Sequence, residues 1–487
     1  MSDDSGSPLD RVSRRQLLGT TSTLGVAGLA GCSSQSGGGS TETSGGSTET
    51  SGGSTETSGG NEGTETAEPT TSGSETTIRF WHAMGGALGK FIDTLATEFS
   101  DQTDGITVEA TQKGSYRETL NATTSAVQAG NPPAVAQIFE IGTQLAIDSG
   151  AFTPIEEIIP QDRINYDNYL DSVLNYYRID GTLNSMPFNS SNAIFYYNKD
   201  AFEEAGLDRE DPPTTFDGVL SAGQTLTEAG VADKGTTWPN HSWFVEQWFA
   251  EQNQPLVNEE NGRAGRATEI NFESEAANNI FSWWTDLYEQ GQYLNPGIEA
   301  WGEAQQAFLT GKTGILGYST SSIAPMKKGA KENGFELGTV KLPVPKGQRN
   351  GVVIGGASLW VPSGLSKPKR EAAGEFLLWL SQPEQQKRWH TNTGYFPVRE
   401  EAVSQLESEG FYDENPNFRT AIDQLRATED SPATRGALMG PFRKVRTIVE
   451  EGYVSMIQKD NVDVQKGLQR IDDQSEKALQ NYNQKVN

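Results

Sequence analysis

Sulfur and histidine are nearly missing from this sequence. Its 487 residues include one cysteine, Cys32, and three histidines, His82, His241 and His390. A single thiol excludes an internal disulfide and a cysteine-rich metal site. The histidines stand far apart at no ligand spacing, which argues against a His-based metal centre or nucleophile pair. Long apolar runs are also absent. The run "GTTSTLGVAGLAG" near the start is too short and too rich in glycine to cross a bilayer as a stable helix. No phosphate-binding glycine loop, no G-x-S-x-G and no H-E-x-x-H occurs. Basic residues are scarce: 38 Lys and Arg face 65 Asp and Glu, for a formal charge of −27. That balance argues against nucleic acid and anionic membrane surfaces as partners. It suits strong brine, where the Debye length falls to about 3 Å at 1 M salt and self-repulsion is screened.

What is present begins with an address. Ser13-Arg14-Arg15-Gln16-Leu17-Leu18 reads as a twin-arginine export signal. The mild apolar run behind it ends in Leu29-Ala30-Gly31-Cys32, a lipoprotein processing box whose thiol takes the lipid. Residues 1–32 are therefore expected to be the signal, with Cys32 as the lipidation site. Residues 33–75 follow as a linker, in which "GGSTETS" occurs three times. Gly, Ser, Thr and Glu without large apolar residues cannot offset the entropy of ordering. A flexible tether of that length reaches roughly 35–40 Å. The chain is thus expected at the cell surface, lipid-anchored to the outer face of the cytoplasmic membrane.

The remaining stretch of about 410 residues is too long for one core, so two domains are expected. "TTIRFWHA" and "GITVEATQ" alternate as strands, and Leu88, Phe91, Ile92, Leu95 and Phe99 line one helical face between them. "PPAVAQIFEIG" adds a third strand. Strand, helix, strand, helix, strand implies a parallel sheet. Ligands of such sheets sit beyond the strands' carboxyl ends, which singles out Trp81, Gly114 to Tyr116, and Glu140. Further on, "PFNSS", "GYSTSS", "GGAS" and "TGY" place hydroxyls and bare backbone at strand ends. Such groups suit a polar, hydroxylated small molecule.

These strings carry a resemblance. "FWHAMGGALGKFIDTLATEF", "KGSYRETL", "QIFEIGTQLA", "PFNSSNAIFYYNKDAFEEAGLD", "VIGGASLWV", "WHTNTGYFPV" and "GFYDENPNF" run in order over roughly residues 78–455. Together they resemble family 1 of the extracellular solute-binding proteins of ABC importers, closest to the glycerol-3-phosphate-binding branch, in an archaeal lipoprotein form. The resemblance implies a two-lobed α/β fold of the periplasmic-binding-protein type II (Venus-flytrap) kind, with hinge crossings. Lobe 1 would hold residues 76–186 and 342–388, and lobe 2 residues 187–341 and 389–487. It also implies roles. Tyr116 and Glu140 would hold glycerol hydroxyls. Ser191, Ser319, the Gly356 N–H, Tyr395 and Arg446 would donate to phosphate, and Trp243 would floor the cleft. Arg446 is chosen over Arg435 and Arg443 by alignment, and an Arg446→Ala change is expected to lose phosphate ligands while keeping the fold. The family's second cleft aromatic falls at Asn240 here, which leaves open whether Trp238 swings in instead. The implied partners are a small-molecule ligand and permease subunits with their ATPase. No cofactor and no metal are expected, and the protein is expected to act as a monomer. The alternatives are a receptor for di- or oligosaccharides, a sensor, and a tethered glycerophosphodiester hydrolase.

Overall fold

The computed structural model describes residues 75–345, 347, 349–458 and 463–486. The expected signal, Cys32 and all but the last residue of the linker lie outside the described residues. No helix among those described is long and apolar enough to cross a membrane.

β1 (Thr76–His82) buries Ile78 and Phe80 and turns Thr77 outward. The helix Gly86–Gln102 follows and buries Ile92, Leu95, Ala96 and Phe99 at helical spacing. β2 (Ile106–Gln112) and β3 (Val135–Phe139) both pair parallel to β1, as the βαβ pattern predicts. The short strand β4 (Phe152–Thr153) and the hairpin of β5 (Arg178–Ile179) and β6 (Thr182–Leu183) come next. β7 (Met186–Ser191) pairs antiparallel with β13 (Gly355–Pro362), which also pairs antiparallel with β3 and β4. These strands form the first sheet, ordered β2-β1-β3-β13-β4 with β7 on β13.

The second sheet is ordered β10-β9-β11-β8-β12. Its strands are β8 (Ala193–Asn198), β9 (Lys234–Thr237), β10 (Tyr293–Leu294), β11 (Thr313–Ser319) and β12 (Leu337–Lys341). The chain therefore changes sheets at Asn192 and returns between Lys341 and Gly355. A boundary at 187 puts β7 and β8 in one lobe, but their pairing sends them to different sheets. One buried cluster backs the first sheet and runs on to Ile194, Tyr196 and Leu316 of the second, and another backs the second sheet's other face. Phe80, Phe99 and Phe376 pack edge-on and tilted beside the first. Trp238, Trp248, Trp283 and Trp284 cluster beside the second. The result is a two-lobed α/β fold whose strand ends face one cleft.

Candidate ligand-binding site

Local sequence aims the first residues into that cleft. Gly114 adopts φ +85°, which turns the chain out of β2. Ser115 then caps the helix Tyr116–Gln128. Its hydroxyl accepts from the Glu118 N–H at 3.3 Å, and the Glu118 carboxylate accepts from the Ser115 N–H at 2.6 Å. This capping box fixes Tyr116 at the first helical position. Its ring stacks on Phe139 at 5.7 Å, and its hydroxyl accepts from Asn189 Nδ2 at 2.8 Å. Glu140 stands directly after β3, at the carboxyl end of the strand, and is buried.

All eight expected site residues line one cavity of about 690 Å³. Tyr116 and Glu140 come from the first lobe's strand ends. Ser191 closes β7, and Ser319 closes β11 with its hydroxyl 2.8 Å from that of Ser321. Gly356 sits at the start of β13 with φ +101°, and an added Cβ would lie 1.9 Å from the Asn189 carbonyl oxygen. Only glycine fits there. Tyr395 follows a left-handed Gly394 and stacks on Trp389 at 5.6 Å. Trp243 is 5 % exposed, and its indole N–H has no acceptor among the described residues. Of the strand-end positions singled out earlier, Trp81 and Gly114 do not line the cavity; Lys113 covers the Trp81 ring at 4.1 Å.

Arg446 is more deeply engaged than its expected role implies. Its Nε and Nη2 donate to Glu246 at 2.8 Å each, and Nη2 also donates to Glu140 at 2.7 Å. All three side chains are buried. One guanidinium is thus shared by two carboxylates, a formal charge of −1. Burial pushes the Glu140 carboxyl up, against the pull of Arg446. Burial disfavours the charge on Arg446, but Glu246 and Glu140 together hold its pKa above the ordinary value.

Other lining residues were not foreseen. Trp301, in the first turn of the helix Trp301–Leu309, brings its ring to 6.2 Å from that of Trp243. Trp301 thus stands beside Trp243 in the cavity lining, where Trp238 does not. Trp238 is fully buried and stacks on Trp283 at 5.3 Å in the second core. Arg435 is tied to Asp430 by two bonds of 2.6 Å and lies outside the cavity lining, whereas Arg443 and Arg117 both line it. His241 is held neutral, chiefly by burial and then by Arg446. With Glu299 and Glu450 it forms a group whose ligand atoms lie within 4.8 Å of one another. Two of these residues already have an atom engaged: His241 Nδ1 accepts from the Trp243 N–H, and Glu450 Oε1 from the Ser242 N–H.

Glu450 itself gives a test of the site's electrostatics. Burial pushes its carboxyl up to about 7. A carboxyl that resists ionisation only in the fold lowers stability as pH rises from its unfolded value, near 4.5, to about 7. Glu450→Gln keeps an oxygen for Ser242 and removes that loss. The variant is expected to be more stable than the parent by up to about 3 kcal/mol at pH 7.5, with the gap closing toward pH 4.5. Denaturant melts at both pH values in molar KCl would measure it, and a gap that does not change with pH would refute it.

With this geometry in hand, likeness to known proteins is informative. The family described as bacterial extracellular solute-binding protein matches residues 94–420. The sn-glycerol-3-phosphate-binding periplasmic protein UgpB of Agrobacterium fabrum is 33 % identical over 410 residues, covering 83 % of this chain and 92 % of the relative. Its counterpart from Escherichia coli K12 is 32 % identical over 390 residues, covering 78 % and 87 %. Among solved structures, UgpB from Mycobacterium tuberculosis in complex with glycerophosphocholine superposes with a TM-score of 0.70 at 22 % identity, over 84 % of this chain and 99 % of that one. The cyclic alpha-maltosyl-1,6-maltose binding protein of Arthrobacter globiformis gives 0.68 at 20 % identity, over 84 % and 100 %.

Proposed function

Since this chain belongs to the bacterial extracellular solute-binding proteins, we propose that it is the receptor of an ABC importer and captures glycerol-3-phosphate or a glycerophosphodiester. The work is capture rather than chemistry. An open body meets the ligand, and the two lobes close over it. Groups such as the Ser191 hydroxyl lose water on closure, so closure is favoured mainly when a ligand satisfies them. The closed form then docks on a membrane permease driven by an ATPase. Lipidation at Cys32 and the linker would keep the receptor near that permease.

The observation that carries this reading is a convergence. Two tyrosines, a carboxylate, two serines, a positive-φ glycine, a tryptophan and an arginine from distant segments meet in one cavity. Glu140 suits the glycerol hydroxyls as an ionised acceptor. The hydroxyls, the Gly356 N–H and the Nη1 of Arg446, which has no partner among the described residues, suit phosphate oxygens. The acidic surface does not forbid an anionic ligand, because brine screens distant carboxylates far more than contacts inside the cleft. A di- or oligosaccharide receptor is the second reading, favoured by the likeness to the maltosyl-maltose binding protein.

Titration calorimetry of the full chain in multimolar KCl separates the two. Glycerol-3-phosphate and glycerophosphocholine are expected to bind without product formation. Binding of maltose but of neither phosphate ester would overturn the ligand assignment, and turnover of glycerophosphocholine would overturn the receptor role.

A further inference from the structure

Three guanidinium groups line the cavity, and they are not in the same state. Arg446 is occupied by Glu246 and Glu140. Arg117 and Arg443 have no ion pair and no side-chain hydrogen bond among the described residues. The acids nearest to hand do not serve them. Glu118 is turned back onto the Ser115 N–H, and Glu299 makes no ion pair with Arg443. Other exposed or half-buried arginines do find acids, as at Arg209, Arg388 and Arg426.

Their positions sharpen the point. Arg117 is the second residue of the helix Tyr116–Gln128, and Arg443 is the second residue of the helix Phe442–Ile457. A helix start already carries about half a positive charge and favours acidic side chains. One of these helices packs on β1 and β3 of the first lobe, the other on the helices Ser242–Glu251 and Glu275–Glu289 of the second. The two cations therefore face the cleft from opposite lobes. Partial burial, and then the charge of Arg117, lower the pKa of Arg443. Closing the lobes on an empty cleft brings like charges together, while an anion between them reverses the sign.

The size of the cavity points the same way. A volume of about 690 Å³ falls in the range of sites that hold drug-sized ligands, far more than a three-carbon monoester fills. We propose that Arg117 and Arg443 form a second anion subsite bridging the two lobes, and that the preferred ligand is a glycerophosphodiester whose far end carries a second phosphate. Arginine suits this because its planar fork can bind two phosphate oxygens at once. This inference rests on the glycerol-phosphate reading and names the ligand's other end.

The test compares three diesters that share the glycerophospho end: glycerophosphocholine with a cationic head, glycerophosphoglycerol with a neutral one, and glycerophosphoglycerol phosphate with an anionic one. Each is titrated into the full chain and into the Arg117→Gln/Arg443→Gln double variant in molar KCl. The parent should prefer the anionic head over the neutral head by at least about tenfold, the gain expected from one charge-assisted contact. The double variant should lose that preference. Both side chains are exposed, so its thermal midpoint should stay within a few degrees of the parent's. Equal binding of all three heads, a preference for choline, or a preference that survives the double substitution overturns the subsite while leaving the glycerol-phosphate reading intact. Binding of none of the three, with maltose bound, overturns both.

Discussion

Arg446→Ala is expected to destabilise the protein by about 3–5 kcal/mol at neutral pH, and not only to lose ligand. The sequence alone suggests a cleft arginine whose removal spares the fold. The contacts of Arg446 give a reason to expect otherwise. Glu140 and Glu246 are buried and share this one guanidinium at 2.7–2.8 Å. Alanine leaves two carboxylates close together, away from water and without a counter-charge. Removing one partner of a buried pair costs far more than the pair's own net contribution. The pH dependence gives the cause away. In the variant, burial and mutual repulsion oppose ionisation of both carboxyls, so their folded pKa values rise above the unfolded value. The penalty is then small below about pH 4.5 and grows as pH rises toward neutrality. Denaturant melts in molar KCl at pH 5 and pH 7.5 should show the larger loss at pH 7.5. An unchanged midpoint, or the same loss at both pH values, would mean the triad does not hold the fold. Binding measurements on this variant need the folded fraction in hand, because ligand loss and unfolding move together.

The triad also marks the limit of what the sequence made legible. Local patterns carried well. Alternation in "TTIRFWHA" and "GITVEATQ" and the apolar face of Gly86–Gln102 fixed a parallel βαβ start. The rule that ligands sit at strand carboxyl ends pointed to Tyr116 and Glu140 without any alignment. Long-range pairing was not legible. Arg446 meets partners 306 and 200 residues away. Glu246 lies in Ser242–Glu251, a helix buried on every side, so no polar face betrays a carboxylate with a task. β7 and β8 are separated only by Asn192 and read as one strand-like stretch; only their partners, β13 and β11, send them to different sheets. Trp301 and Arg117 open ordinary amphipathic helices, and it is the tertiary fold that turns those helix starts toward the cavity.

Glu140→Gln should separate binding from stability, with the two moving in opposite directions. In the parent the triad carries a formal charge of −1, and burial already opposes ionisation of Glu140. Glutamine keeps the shape, leaves Arg446 paired with Glu246, and brings the group to neutrality. Stability at pH 7.5 should hold or rise by up to about 1–2 kcal/mol, because a buried charge in excess has been removed. Affinity for glycerol-3-phosphate should fall. An ionised oxygen pair accepting from two hydroxyls contributes about 1.5–3 kcal/mol for each bond, and a neutral amide retains only part of one. Against this runs the relief of a like charge near the phosphate, on the order of 1 kcal/mol across a cleft in molar salt. The hydroxyl term wins, leaving a loss of about 30- to 100-fold. The same balance predicts that inorganic phosphate, which has no glycerol hydroxyls for Glu140 to hold, binds the variant at least as well as the parent. Calorimetry with both ligands, beside a denaturant melt, reads all three quantities. Glycerol-3-phosphate bound as tightly by the variant as by the parent would remove Glu140 from the glycerol end of the site.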